Sequence, residues 1–100
     1  MKKVVLVCVG GVSTGILCKA IRQAANSDGT ELDVSAHALD QLNEFIDGAD
    51  VLLVAPQISF RFDEIKGRYP NIVTKQIDMV DYGMMNGKKI YNELKNEFGW

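Results

Sequence analysis

Apolar residues fall in two kinds of run along this chain: short unbroken blocks, and longer stretches that recur every three or four positions. Residues 3–8 and 51–55 are blocks with almost no polar interruption, the pattern of strands covered on both faces. Residues 31–38 alternate instead, with Leu32, Val34, Ala36 and Ala38 set against Asp33, Ser35 and His37. Alternation predicts a strand with one face only partly covered, as at a sheet edge. Residues 72–77 mix Val73 and Ile77 with Thr74, Lys75 and Gln76, which predicts the other edge.

Helical spacing fills the intervals. Residues 13–26 carry Ile16, Leu17, Ala20, Ile21 and Ala24 on one face, and residues 40–47 carry a stripe of Leu39, Leu42, Phe45, Ile46 and Ala49. A third helix is expected over 58–69, with Ile58, Phe62, Ile65 and Tyr69. A fourth is expected over 87–98, with Gly87, Ile90, Tyr91, Leu94 and Phe98. Turn residues punctuate these runs at Asn26-Ser27-Asp28-Gly29, Gly48, Pro56 and Pro70-Asn71. The stretch holding Asp78, Asp81 and Gly83 reads as a connection.

The order is therefore βαβαβαβα, with no internal repeat. Right-handed crossovers make this a parallel sheet with helices on both faces. Placing the unbroken blocks centrally and the mixed strands outside selects strand order 2-1-3-4. The result is a doubly wound, three-layer α/β/α fold of flavodoxin-like type, resembling the low-molecular-weight cysteine phosphatases. The topological switch lies between strands 1 and 3, and ligands bind at the carboxyl ends of strands beside such a switch. Cys8 and the turn Pro56-Gln57 both fall there.

With 100 residues, one domain is expected. An apolar content of 47% and a charged content of 24% suit an ordinary globular protein. The net charge of −2, without any Lys/Arg run, argues against a nucleic-acid partner. The apolar run after Met1-Lys2-Lys3 is too short for a signal peptide, and nothing approaches the roughly 18 residues of a membrane span. A cytoplasmic chain without direct membrane insertion is expected. Cys8 ends a strand and Cys18 lies inside the next helix, so a bridge would strain both elements and free thiols are expected.

The chemistry centres on Cys8-Val9-Gly10-Gly11-Val12-Ser13-Thr14-Gly15. A thiol at the end of a buried strand is followed by small and hydroxylated residues that open a helix. Backbone N–H groups and a helix N-terminus converge on an anion in such a loop, and they favour the thiolate. Glycines at 10, 11 and 15 let the backbone approach closely, and Ser13 and Thr14 can reach phosphoryl oxygens or cap the helix. A Walker A reading fails because Ile16 stands where Lys is required, and no dinucleotide fingerprint or C-x-x-C is present. Cysteine phosphatases place Arg six residues after the cysteine, where this chain has Thr14. Without that guanidinium the loop can hold a phosphoryl group but is not built to hydrolyse it.

The loop, together with Val54-Ala55-Pro56-Gln57-Ile58, Ile77-Asp78, Tyr82-Gly83 and Asn86-Gly87, resembles the IIB components of the phosphoenolpyruvate-dependent sugar phosphotransferase system. The lactose/cellobiose (chitobiose) branch fits best. The resemblance implies a phosphocysteine on Cys8, accepted from a phosphohistidine of IIA. It is passed to a sugar bound by the membrane component IIC, a β-linked disaccharide such as cellobiose, chitobiose or lactose. Residues 9–15 would hold the phosphate, a monomer is expected, and no cofactor is needed. Val9 and Gly15 depart from the small or hydroxylated residue and the Ser that are common in the family. Two other readings stay open at this point. One is a cysteine phosphatase or arsenate-reductase-like enzyme, and the other is a non-catalytic anion-binding module.

Other residues are weighed against plainer roles. Cys18 reads as helix packing. Gln57, His37 and Asp78 are candidates for the site periphery, but a helix start, a structural histidine and a turn or cap residue explain them as well. Asp81 shares the turn reading with Asp78. Phe60, Phe62, Tyr82 and Trp100 divide between core and an apolar docking rim. His37 has no ligand-spaced companion, so no metal site is indicated.

Overall fold

The two unbroken apolar blocks form the centre of a four-stranded parallel sheet in the order β2-β1-β3-β4. The computed structural model describes residues 1–9 and 12–100, with Val12 and Ser13 described by their backbone alone. The strands are β1 (Lys2–Cys8), β2 (Leu32–Ala38), β3 (Val51–Val54) and β4 (Val73–Gln76). Between them and after them run α1 (Val12–Ser27), α2 (Phe62–Arg68), α3 (Met79–Gly83) and α4 (Gly87–Phe98). Register sets Val4 beside Val34 on one side and Val51 on the other, and Val51 beside Val73.

Strand alternation sorts the core into two layers. Val4, Leu6 and Cys8 face α1 and α4, packing with Leu17, Ile21, Ile90 and Leu94. Val5 and Val7 face the opposite layer, with Leu42, Leu52, Ile58 and Ile65. Both faces of β1 and β3 are therefore buried, which is why their sequences carry no alternation. The α1–α4 packing is close enough to require glycine. A Cβ on Gly87 would stand 2.4 Å from the Ala20 carbonyl carbon.

Three predicted elements are corrected. The helix expected over 40–47 is a 3-10 helix, Leu39–Glu44. With three residues per turn, Leu39, Leu42 and Phe45 align on one side. That alignment seats Leu42 in the core and Phe45 flat on His37, ring centroids 3.7 Å apart. The helix expected over 58–69 is broken into a 3-10 helix, Pro56–Arg61, and α2. Ile58 is non-helical at φ −119° and ψ 25°, which lets Ile58 and Ile65 both reach the same core layer. The connection after β4 contains α3, capped by Asp78.

The face of α1 is also corrected. Thr14, Leu17, Cys18, Ile21 and Ala25 are buried, whereas Ile16 is 56% exposed. The buried set follows the i, i+3, i+4, i+7 spacing, and Ile16 points to nearly the opposite side of the helix. Both cysteines are free.

Candidate functional site

Cys8 is the last residue of β1, and its alternation turns the side chain toward α1. Only 5% of the residue is exposed. The thiol meets two polar groups there. The hydroxyl Oγ1 of Thr14 lies 3.5 Å from Sγ, and the S–H donates to the carbonyl oxygen of His37 at 3.7 Å. Register explains the second contact, because Cys8 pairs with Ala38 and so lies beside the end of β2. Local folding explains the first. α1 begins at Val12, so Thr14 falls in its first turn, 2% exposed and aimed at the strand end.

The start of α1 thus points its dipole toward the end of β1, where a negative charge on sulfur is favoured. Ser13 and Thr14 both lie within α1, so neither precedes the helix as a cap. Gly15 is also helical, with open space where a Cβ would go, and does not supply a left-handed turn. Gly10 and Gly11 lie outside the described residues, as do the side chains of Val12 and Ser13. Val9 is described, and its side chain is exposed.

Cys18 sits one turn further along α1 in the same core layer. Burial pushes its thiol up to about 11, with Arg22 opposing and Cys8 reinforcing the shift. It is a protonated packing residue at neutral pH.

A cleft of about 490 Å³ opens at the strand ends beside Cys8. Val9, Leu39, Ile58 and Phe60 give it apolar walls, and Arg61 and Arg68 give it a basic one. Both guanidinium groups bond to Glu64, at 2.6 Å from Arg61 and 3.0 Å from Arg68. The Arg61 hydrogen bond is the main cause that holds the Glu64 carboxyl below the ordinary carboxylate range. Sequence reasoning overlooked these arginines. Their signal was an Arg-x-x-Glu-x-x-x-Arg spacing directly after Pro56-Gln57-Ile58-Ser59-Phe60, which suits one helical surface. A second groove, between α1 and α4 and lined by Ala20, Ala24 and Tyr91, lies away from the thiol.

The peripheral candidates are not brought to the sulfur by their side chains. His37 contributes its carbonyl, but its ring lies on the other face of the sheet, bonded to Ser35 at 3.0 Å and stacked on Phe45. Burial, assisted by Lys3, lowers the tendency of this imidazole to take a proton, and Asp33 partly opposes that. Gln57 is exposed in the 3-10 helix that follows β3 and does not line the cleft. Asp78 accepts from the backbone N–H groups of Val80 and Asp81, at 3.0 and 3.2 Å. Asp81 is buried against Lys89, 3.1 Å away. No group of three or more potential metal ligands occurs among the described residues.

Residues 3–93 match the family model described as "PTS system, Lactose/Cellobiose specific IIB subunit". The oligo-beta-mannoside-specific EIIB component of Bacillus subtilis is 38% identical over 95 residues, 93% of this chain and 92% of the relative. The solution structure of a cellobiose-specific phosphotransferase IIB component from Borrelia burgdorferi is 34% identical. It superposes with a TM-score of 0.78, covering 98% of this chain and 92% of that one. A lactose-specific IIB domain from Streptococcus pneumoniae shares the fold, with a TM-score of 0.84 at 19% identity over 95% of each chain.

Proposed function

Because the chain belongs to the lactose/cellobiose-specific IIB family of the sugar phosphotransferase system, we propose that Cys8 is its phosphoryl-carrying residue. In this reading a phosphohistidine of IIA gives its phosphoryl group to Cys8. The phosphocysteine then gives it to a sugar bound by the membrane component IIC. The observation that carries the reading is the position of the Cys8 thiol, at the carboxyl end of β1 and against the first turn of α1.

The chemistry follows from that position. Sulfur attacks phosphorus, an S–P bond forms, and the P–N bond to the donor imidazole breaks. The thiol proton ends on the ring nitrogen that loses phosphorus. In the second transfer a sugar hydroxyl attacks, the S–P bond breaks, and the hydroxyl proton replaces the phosphoryl group on sulfur. A thiolate is nucleophile in the first step and leaving group in the second. The dipole of α1 favours it in both. Thr14 stands where a hydrolytic loop would carry Arg, so the bidentate clamp that speeds attack by water is missing from that position.

Residues 1–100 act as one carrier domain, and no helix among the described residues is long and apolar enough to cross a membrane. The donor and acceptor are then separate surfaces of IIA and IIC that approach the same strand ends in turn. The relatives named for oligo-beta-mannoside and cellobiose support a β-linked disaccharide or oligosaccharide as the transported sugar.

The test is intact-mass measurement after mixing the chain with phosphorylated IIA. The wild type gains one phosphoryl group and Cys8→Ser gains none, while Cys18→Ser behaves as wild type. Phosphate on the Cys8→Ser variant would sink the proposal. Prompt release of free phosphate from the wild type would move the reading to a hydrolase.

A further inference from the structure

We infer that the Thr14 hydroxyl is a catalytic group for both transfers, acting on the Cys8 sulfur rather than on phosphoryl oxygens. This rests on Cys8 being the phosphoryl carrier. Among the described residues, the sulfur has two polar neighbours, and their chemistry differs. The His37 carbonyl is an acceptor only. It orients the neutral S–H, but it faces a thiolate with its own negative end. The Thr14 hydroxyl can also donate, and from 3.5 Å it can place its proton on a charged sulfur.

Burial makes the contact consequential. Thr14 and Cys8 are both nearly closed to solvent, so water does not readily replace this donor at the inner side of the sulfur. Hydrogen bonds to charged groups in such surroundings are the strong ones. When sulfur attacks the donor's phosphorus, the thiol proton leaves and Thr14 holds the developing thiolate. When the sugar hydroxyl attacks the phosphocysteine, the electron pair of the breaking S–P bond returns to sulfur. Thr14 then stabilises that leaving group. No proton is lost from Thr14 in either step: with the S–H directed to the His37 carbonyl, the Thr14 O–H is the donor to sulfur throughout and keeps its proton.

The helical position of Thr14 accounts for this division of labour. Thr14 lies in the first turn of α1, with its hydroxyl oxygen 3.5 Å from the sulfur at the strand end. The other ionisable groups on the elements around the sulfur are Cys18 on α1, Tyr82 on α3 as a member of the same core cluster, and Asp40, Arg61 and Arg68 around the cleft. None of them changes in a Thr14 variant, so a difference reports the hydroxyl.

The test compares full-length wild type with Thr14→Val, which keeps the shape, and Thr14→Ser, which keeps the hydroxyl. One measurement is the rate of Cys8 alkylation by iodoacetamide as a function of pH, read by peptide mass. The other is the rate of phosphoryl acceptance from phosphorylated IIA. Thr14→Val should alkylate about tenfold more slowly near neutral pH. Its phosphoryl acceptance should fall by a similar factor, and Thr14→Ser should recover most of both rates. Equal alkylation profiles for wild type and Thr14→Val would overturn the inference, as would a serine variant no better than valine. If Thr14→Val does not fold, as judged by Cys18 becoming alkylated, Thr14→Ala removes the hydroxyl without adding an apolar group and gives the same decision. A wild type that takes no phosphate on Cys8 would defeat the carrier reading, while the alkylation profiles still decide the role of Thr14.

Discussion

At the scale of single residues, the described cysteines and histidine divide by surroundings rather than by type. Cys8 and Cys18 share a core layer, yet one meets a hydroxyl and a carbonyl at a strand end, and the other is sealed within a helix face. His37 is held below the ordinary histidine range, so the unfolded chain takes up this proton at higher pH than the folded chain does. Its contribution is therefore intact well above about pH 6.5 and is lost as pH falls through that value toward the lowered one. Asp28 and Glu64, both held low by hydrogen-bonded cations, give up their share only further down, from about pH 4. The melting temperature of the wild type should thus decline in two stages on acidification. In His37→Gln the first stage should flatten while the second persists. Equal slopes between about pH 7 and 5 for the two proteins would remove His37 from the account.

At the scale of elements, the sheet was legible because burial on two faces leaves a direct mark on sequence. The uninterrupted blocks ending at Cys8 and Val54 could only be central, and the alternation of β2 could only be outer. The helices of the second layer were less legible. Periods of 3.0 and 3.6 barely diverge over six residues, so Leu39–Glu44 could not be told from an α-helix by spacing. The break at Ile58 serves tertiary packing and has no local cue beyond Pro56. At the site, Cys8 was evident from its place at a strand end, whereas the contact with Thr14 required the helix start to be located within one residue. The arginine wall was missed because Glu64 pairs it into an ordinary surface cluster.

Gly87 gives the element scale its own test. As the first residue of α4 it should tolerate Ala on helix propensity alone, with a gain approaching 1 kcal/mol for an interior position. The crossing with α1 predicts the reverse, since a Cβ would lie 2.6 Å from both the Ala20 Cβ and the Ile21 nitrogen. Two of the three clashing atoms are backbone, so the helices must separate. Gly87→Ala should destabilise the fold by about 1–3 kcal/mol, read as a lower urea midpoint with an unchanged slope. A neutral or stabilising result would mean that α1 and α4 part more easily than this packing implies.

At the scale of the molecule, exposed apolar side chains gather where the strands end. Val9 follows β1, Phe60 follows β3, and Met79, Val80 and Met84 lie on or beside α3 after β4. Phe62, Tyr82 and Trp100, the other aromatics considered for a rim, instead belong to or pack on the core. Phe60 is the sharpest case, 82% exposed on the wall of the cleft that holds Cys8. A side chain so open contributes little to folding, so Phe60→Ser should leave stability within about 0.5 kcal/mol. An aromatic anchor at an interface typically costs more than about 1 kcal/mol when truncated, roughly fivefold or more in affinity. If IIA covers this wall during transfer, the variant should show a raised KM for phosphorylated IIA, with the maximal rate and the iodoacetamide reactivity of Cys8 nearly unchanged. A fall in maximal rate with constant KM would place Phe60 with the chemistry instead. An unchanged profile would mean that the partner approaches from the α3 side, where Met79 and Val80 offer the next exposed surface.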